Sequence, residues 1–530
     1  MKLPAIDPAR VRALTERLVA YSSVSPDPGG ETACAQLIRA ALPAGLESGA
    51  WPTDDGRPVV WAHLRGRSRR TVVLLTHYDT VGVEEYAALD PGRGARIGFD
   101  PDALRTRLLE QDPQRLPEAV AADLEQERRA PGTWMFGRGA LDMKSGVAAG
   151  VAALETLATS APQGAPEGHA LLLACPDEEN QSAGMRRAVE ELVAWRARED
   201  LELMGAINLD YGEGPWAYQG VAGKLLLGVW VLGAPTHVGD PFAGVDAVQL
   251  AAALVTRLTT SPQLVERGDG VQGVPPVALQ LRDRKPRYDV QTALEAEVEL
   301  NLLTYRRSLA ATFEAVRAEV VAAMHERERA MASLAVAVGR PVPASAGAPQ
   351  VLTYPELVAR AGIAAAADPL ETPARDGRRA SFDRVRSLAR AARLTGPAVV
   401  MVLLPPFYPH AEPGGSSFGT RIRSWLAARA METRPWYPFI TDASYVAWRP
   451  GATTGVEALL PALGREYRLP IAAARALDLD VINLGPWGRD AHGLYERVHA
   501  PHAFGILPGL IAEAVARSWE APSMTPEEDL

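Results

Sequence analysis

The order of apolar and polar residues along the chain predicts strands and helices that alternate. Short, continuous apolar runs are typical of strands buried on both faces, and they occur at residues 71–76 and 169–175. A further strand is predicted at residues 206–210. Helical spacing of apolar or small residues predicts helices over 8–22, 146–157 and 179–194. Because strands alternate with helices, the sequence predicts an α/β fold with a mainly parallel sheet.

The pattern changes after residue 220. Residues 221–336 predict a strand, a helix, two strands and a long helix, which is enough for a small α+β domain inserted into the first. Later apolar runs at 398–404 and 481–484 predict two more buried strands. We therefore divide the chain into an inserted domain (221–336) and a main domain formed by the residues on either side of it. The main domain contains residues 1–220, with a surface insertion at about 84–131, and residues 337–530, with an extra insertion within 338–480.

Composition narrows the class of protein. A length of 530 residues predicts about two or three domains. The net charge of −9, without a basic tract, excludes nucleic acid and an anionic membrane as expected partners. Two cysteines exclude a disulfide-framed secreted domain. No apolar run reaches the roughly 18 residues of a membrane helix, so we expect a cytoplasmic protein.

Polar residues that could bind a metal follow the predicted strands. His77 and Asp79 come directly after one apolar run, and Glu178 and Glu179 follow another. Ligands collect at the carboxyl ends of strands in open α/β sheets. A histidine can bind a metal while a carboxylate takes its other ring proton, and adjacent acidic residues repel unless a cation lies among them. A structural His–Asp pair and a solvated acidic loop remain open alternatives for each cluster taken alone.

Three further polar residues lie at the ends of predicted strands or in glycine-rich turns. Asp142 lies in a glycine-rich stretch before a helix, and Asp210 ends the predicted strand at 206–210. His492 follows the last predicted strand and a glycine-rich turn. For Asp142 alone, a helix N-cap is the open alternative.

These segments, in their order, resemble motifs of a known family. Residues 74–82, 137–150, 177–184 and 485–498, with 223–247 in the inserted domain, resemble the di-zinc metallopeptidase and amidohydrolase family. That family includes aminoacylases, acetylornithine deacetylase, succinyl-diaminopimelate desuccinylase and glutamate carboxypeptidase. The long insertions, with the strand end at 303–305, resemble its arginine-utilisation subgroup.

The resemblance implies a zinc-hydrolase domain of mainly parallel sheet with an inserted lid and dimerisation domain. It implies two divalent metal ions, zinc first, with cobalt or manganese as alternatives. The implied ligands are His77 and Asp210 for one ion, Glu179 and His492 for the other, and Asp142 as the bridge between them.

The resemblance also implies roles around the ions. Glu178 corresponds to the general acid and base, and Asp79 to the residue that orients His77. His237 corresponds to the lid histidine that contacts the oxyanion, which in dimeric relatives comes from the partner subunit. Asp289 stands where relatives have an asparagine, and Arg306 is the candidate for binding a substrate carboxylate.

The expected function is metal-dependent hydrolysis of the amide bond in a small N-acyl amino acid or dipeptide-like substrate. The subgroup resemblance points to arginine or ornithine catabolism. The expected partners are this small-molecule amide and, through the lid domain, a second copy in a homodimer. The alternative function is a metal-bound, non-hydrolytic protein that binds an amino acid or regulates in response to it.

Overall fold

The computed structural model describes residues 3–160, 164–268, 270–343, 349–362 and 376–520. Its strands are β1 (Glu47–Pro52), β2 (Pro58–Leu64), β3 (Arg70–His77), β4 (Trp134–Phe136), β5 (His169–Cys175), β6 (Glu202–Asn208), β7 (Ala217–Tyr218), β8 (Gly223–Leu232), β9 (Arg267–Gly268), β10 (Val271–Gln272), β11 (Val277–Asp283), β12 (Glu295–Thr304), β13 (Gln350–Thr353), β14 (Ala398–Tyr408), β15 (Thr433–Arg434), β16 (Val481–Asn483), β17 (Gly488–Arg489) and β18 (Arg497–His499). Its α-helices are α1 (Pro8–Val19), α2 (Pro28–Ala41), α3 (Pro101–Leu109), α4 (Glu118–Arg129), α5 (Ser145–Thr159), α6 (Ala183–Arg198), α7 (Ala247–Thr260), α8 (Leu309–Ala337), α9 (Tyr354–Ala361), α10 (Gly377–Ala391), α11 (Ser417–Ala428), α12 (Pro450–Thr453), α13 (Val456–Leu459), α14 (Ile471–Leu477) and α15 (Leu507–Ser518).

The chain forms two compact units. The first unit contains the residues up to Val221, the segment Ala411–Ala447 and the residues from Pro470 onward. The second unit contains Ala222–His410 and Trp448–Leu469. Each unit has its own sheet and its own buried apolar clusters.

An eight-stranded sheet with the order β1-β2-β5-β3-β6-β16-β7-β15 forms the centre of the first unit. The four neighbouring strands β5, β3, β6 and β16 are parallel to one another. Every residue of β5 is buried, as is every residue of β3 after Arg70, which explains their continuous apolar sequences. The predicted α/β fold class with a mainly parallel sheet is confirmed.

Helix α5 lies close to the carboxyl end of β6 because its residues are small. A Cβ atom on Gly146 would lie 2.4 Å from the carbonyl oxygen of Leu209, so only glycine allows this approach. The turn before α5 carries Asp142, and Leu209 precedes Asp210. The close packing therefore brings two of the predicted metal ligands to the same edge of the sheet.

The segment 84–131 is a packed region of the first unit. It contains α3, α4 and short helical turns, and its apolar side chains form a buried cluster with Trp134 and Phe136. Asp123 of α4 is buried and accepts hydrogen bonds from Arg497 Nη2 at 2.6 Å and from Arg489 Nη1 at 2.8 Å. The predicted surface insertion thus contributes to a buried apolar cluster and is joined by ion pairs to Arg489 and Arg497.

The second unit contains a five-stranded sheet in the order β11-β12-β8-β14-β13. Its neighbours are antiparallel except for the parallel pair β13 and β14. Over residues 223–337 the unit has the order β8, α7, β11, β12, α8, with the short β9 and β10 between α7 and β11. Helices α9 and α10 cover one face of this sheet with an apolar cluster that includes Phe382 and Val400.

The predicted placement of residues 337–480 in the main domain is wrong for most of the residues described there. Strand β14 runs antiparallel to β8, from the pair Ala398 and Leu232 to the pair Leu404 and Leu226. All eleven residues of β14 are buried, so its sequence fits a central strand in either unit. Apolar periodicity does not specify the partner strand, and only Ala411–Ala447 and the residues from Pro470 return to the first unit.

Within the described ranges, none of the helices is both long enough and apolar enough to cross a bilayer.

We predict that α10 and β14 stabilise the second unit through Phe382, whose side chain is fully buried between them. Phe382→Ala should lower the free energy of unfolding by about 3–5 kcal/mol, because it leaves a cavity. Arg390→Ala, at an exposed position of the same helix, should change it by less than about 0.5 kcal/mol. Urea denaturation of both variants measures the difference, and equal values would contradict this packing.

Candidate metal centre and active site

His77 is the last residue of β3 and its side chain is buried. Its Nδ1 atom lies 3.4 Å from Oδ1 of Asp79, which is fully buried two residues later. The same Asp79 carboxylate accepts the backbone N–H groups of Glu178 at 3.1 Å and Glu179 at 3.0 Å. Asp79 therefore joins the loop after β3 to the loop after β5, and its Oδ1 atom lies beside His77 Nδ1.

Asp142 lies between the two predicted histidine ligands. Its Oδ1 atom is 3.1 Å from Nε2 of His77, and its Oδ2 atom is 2.9 Å from Nε2 of His492. Gly139, at φ 77°, forms the turn before it, in a conformation that favours glycine. One carboxylate thus has an oxygen facing each histidine, which is the geometry expected of a bridging ligand.

Glu178 and Glu179 follow β5 and are directed to different histidines. Glu179 Oε1 lies 2.9 Å from Nε2 of His492. Glu178 Oε2 lies 3.9 Å from Nε2 of His77, and the Glu178 side chain is buried. The two adjacent glutamates are therefore not equivalent, because Glu179 is within hydrogen-bonding distance of its histidine and Glu178 lies farther from its own.

Asp210 and His492 complete the group. Asp210 Oδ1 lies 4.0 Å from Nε2 of His77. The turn after β16 approaches Asp210 so closely that a Cβ atom on Gly485 would lie 1.8 Å from the Asp210 carbonyl oxygen. His492 has a left-handed backbone, with φ 63°, a conformation that is rare outside functional and turn positions. All the ligand positions predicted from the sequence in the first unit thus lie together.

Three buried carboxylates of this group have raised pKa values, whereas the pKa of Asp142 is lowered because its histidine partners His492 and His77 outweigh the effect of burial. Burial first, and then Asp142, raise the pKa of Glu179 to about 7 and that of Asp210 to about 6. Burial also raises the pKa of Glu178 well above its usual value. Burial alone lowers the pKa of His77, but Glu178 and Asp142 outweigh this effect and raise it. The group therefore carries an excess of negative charge that a cation would relieve.

The donor set fits a divalent metal. Ligand atoms of His77, Asp142 and Glu179 all lie within 4.8 Å of one another. Two atoms that are each about 2.1 Å from one zinc ion lie roughly 3–4 Å apart, which is the range of the separations at Asp142. Imidazole nitrogen and carboxylate oxygen suit zinc, cobalt and manganese. The identity and number of ions stay predictions.

The three remaining predicted site residues lie in the second unit. His237 is exposed, and its Nδ1 atom accepts the backbone N–H of Gly239 at 3.0 Å. Asp289 is exposed and pairs with Lys285 at 2.5 Å. The backbone N–H of Arg306 donates to Glu266 at 2.9 Å. Their roles toward a substrate stay predictions.

Sequence reasoning missed the residues that support the ligand loops. Glu496 Oε1 accepts the backbone N–H groups of Leu141 and Asp142, both at 3.2 Å, and Glu496 is paired with Arg138. Arg138 lies in the motif at 137–150 and Glu496 in the motif at 485–498. Their places in these motifs could have identified both residues from the sequence. Thr441 and Asp442 are also buried near this edge, and they follow no motif or strand that would have indicated them.

Arg57 supports the loop that carries the two glutamates. Its Nη1 atom is 2.9 Å from Glu31 Oε2 and 2.6 Å from Asp177 Oδ1, and all three side chains are buried. The Glu31 carboxylate also accepts the backbone N–H of Asp177 at 2.9 Å. Asp177 directly precedes Glu178 and has a left-handed backbone, with φ 71°. This network holds a strained turn in place beside the candidate ligands.

The chain matches peptidase family M20/M25/M40 over residues 115–374. The uncharacterized protein YqjN of Bacillus subtilis is 30% identical, with 88% of this chain and 87% of that protein covered. Protein RocB of the same organism is 27% identical, with 99% of this chain and 98% of that protein covered. This chain belongs to peptidase family M20/M25/M40. The family resemblance drawn from the motifs, with RocB-like relatives, is confirmed.

A solved structure supports the fold. A tripeptidase from Staphylococcus aureus superposes with a TM-score of 0.53 at 12% identity, over 97% of this chain and all of that chain. The M20 family places this chain among metal-dependent hydrolases of amide bonds. In this M20 member, the candidate metal-binding group lies at the carboxyl edge of the first sheet, as Asp142 and its neighbours show.

We predict that the loop carrying Glu178 and Glu179 depends on Arg57. Arg57→Met should lower the free energy of unfolding by about 3–5 kcal/mol, because it leaves the buried carboxylates of Glu31 and Asp177 without their cationic partner. Asp55→Asn removes a half-exposed partner of the same guanidinium and should cost less than about 1 kcal/mol. Denaturant titration compares the two variants, and a similar small loss in both would show that the network does not hold the turn.

Proposed function

We propose that this M20 member cleaves the amide bond of a small N-acyl amino acid or dipeptide-like substrate, with two divalent ions, zinc first. The observation that carries the proposal is the Asp142 carboxylate, whose two oxygens face His77 and His492 at 3.1 and 2.9 Å. Glu179 and Asp210 add one further carboxylate toward each histidine. Within this proposal, the resemblance of the long insertions and of residues 303–305 to the arginine-utilisation subgroup points to arginine or ornithine catabolism.

Glu178 is the proposed general acid and base. It is buried beside the ligand group, and burial raises its pKa above that of a free glutamate, which favours proton uptake by this carboxylate. It takes a proton from water as the water oxygen bonds to the carbonyl carbon. It then gives that proton to the amide nitrogen as the carbon–nitrogen bond breaks. The second proton of the water moves from the new carboxyl group to the amine, which yields a carboxylate and an ammonium group.

Asp79 fixes the position of this base. Its carboxylate accepts the N–H groups of Glu178 and Glu179 and lies beside His77, so one side chain sets the geometry of three others. Divalent ions bound here supply Lewis-acid polarisation of the carbonyl group and lower the pKa of water. Glu31, Arg57 and Asp177 hold the same loop from behind.

Metal removal is the first test. We expect dialysis against a chelator to abolish turnover and zinc, cobalt or manganese to restore it. The substrates are a panel of N-acyl amino acids and dipeptides that includes N-acyl arginine and N-acyl ornithine. Bound metal is measured in the same samples. Metal binding without turnover of any amide in the panel would contradict the hydrolase and favour the non-hydrolytic binding protein.

The variant Glu178→Gln tests the proposed role of Glu178 as the general acid and base. We expect the variant to keep its metal and to lose roughly 10²-fold or more in kcat, because a neutral amide cannot accept the proton. Glu179→Gln is the matched comparison one residue later, and it should lose metal because Glu179 is a proposed ligand. If Glu178→Gln is the variant that loses metal, the two roles are assigned the wrong way round.

Substitution of His237 tests both its role at the oxyanion and the proposed homodimer. His237→Ala should lower kcat by roughly 10²–10³-fold with metal content unchanged, the cost of losing one oxyanion donor. If the partner subunit supplies this histidine, mixing His237→Ala with Glu178→Gln subunits should restore some of the activity, because some mixed sites contain both residues. The absence of recovery in verified mixed dimers would contradict donation between subunits.

A further inference from the structure

The packing of the first unit does not account for the buried hydroxyl group of Tyr437. Tyr437 is fully buried, and its Oη atom has no hydrogen-bond partner among the residues the structure describes. Buried tyrosine hydroxyls are nearly always hydrogen-bonded. An unsatisfied buried polar group is destabilising, so a hydroxyl kept in this position calls for a function.

The ring that carries this hydroxyl is held in place on several sides. The Tyr437 backbone N–H donates to the carbonyl oxygen of Gly220 at 2.7 Å. Its ring makes edge contacts with Tyr218 at 5.3 Å and with Phe439 at 5.5 Å, and lies 6.5 Å from Tyr211. The hydroxyl is therefore positioned before any ligand binds.

The segment around Tyr437 is anchored to the candidate metal centre. The Thr441 hydroxyl accepts a hydrogen bond from Asn208 Nδ2 at 3.0 Å and donates to the Asp210 carboxylate. Tyr211, which contacts the Tyr437 ring, directly follows Asp210 in the chain. Tyr437 is thus tied to the loop after β6 both through its ring contact with Tyr211 and through Thr441.

The charges that act on the Tyr437 hydroxyl include carboxylates of the candidate centre. Burial, and then the charges of Asp210, Tyr211, Asp142 and Glu178, raise the pKa of Tyr437 well above its usual value. The phenol is therefore neutral and keeps its proton, so it can act as a hydrogen-bond donor. These carboxylates are close enough to act on the hydroxyl but do not accept its proton in a hydrogen bond.

We propose that Tyr437 is a catalytic residue whose hydroxyl donates a hydrogen bond to the carbonyl oxygen of the substrate amide. As water adds to the carbonyl carbon, the C=O double bond becomes a C–O single bond and negative charge develops on that oxygen. The Tyr437 proton stays on its own oxygen throughout, and its hydrogen bond strengthens with the charge. The proposal rests on the amide-hydrolase function and adds a donor from the first unit itself.

Tyr437→Phe tests the proposal, because it removes the hydroxyl and keeps the ring contacts. We expect kcat to fall by roughly 10²–10³-fold on the best amide of the panel, with KM changed by less than about threefold. Metal content and the midpoint of urea unfolding should match the wild-type protein. A phosphinate analogue of the same amide should lose affinity by a similar factor, since it resembles the transition state, while the product amino acid should bind equally well.

Tyr218→Phe is the matched control. The Tyr218 hydroxyl is also buried, and its ring contacts Tyr437, but its charged neighbours are Glu213 and Arg434 and not the candidate centre. We expect wild-type kcat and phosphinate affinity from this variant. Wild-type kcat in Tyr437→Phe, or an equal loss in both variants, would overturn the proposal.

The outcome also separates this proposal from the proposed function. If the wild-type protein shows metal-dependent turnover and Tyr437→Phe does not differ from it, only the role of Tyr437 is wrong. If the metal-loaded wild-type protein turns over no amide of the panel, the amide-hydrolase function and the role of Tyr437 are both wrong.

Discussion

The mutual repulsion of buried carboxylates at one edge of the first sheet is the constraint on which this site depends. Asp79, Asp142, Glu178, Glu179 and Asp210 are brought together there with two histidines. Burial first, and then neighbouring negative charges, raise the pKa of Glu178, Glu179 and Asp210. The loops that carry candidate ligands are tied down by acceptors that are not themselves proposed ligands. Asp79 holds the loop after β5, and Glu496 holds the turn before α5.

The candidate ligands could be predicted from the sequence because local rules place them. His77 ends a buried strand, Glu178 and Asp210 each follow one, and neighbouring parallel strands end at the same edge of a sheet. Arg57 and Tyr437 could not be found in this way, because their importance arises from contacts with residues far along the chain. Arg57 meets Asp177 across 120 positions, a contact that no motif or periodicity encodes.

Long-range contacts also explain why the sheet that contains β14 could not be predicted from the sequence. Burial on both faces predicts that β14 is a central strand, but it does not say which sheet contains it. Its register beside β8 places it in the second unit, where it separates β8 from β13. The four-residue strand β13 could not be recognised by its sequence, since short edge strands carry little pattern. Element type was thus easier to predict than element partnership.

The late position of strand β16 in the chain affects how the first sheet forms during translation. It lies between β6 and β7 in the first sheet, yet Asn483 meets Asn208 across 275 positions of the chain. While a ribosome synthesises the intervening residues, the edge of β6 has no partner, and an open edge invites pairing with a wrong strand. His492 follows β16, so the nascent chain cannot assemble its full ligand set until the second unit has been synthesised. Protection of that edge during translation is therefore a condition for obtaining active protein.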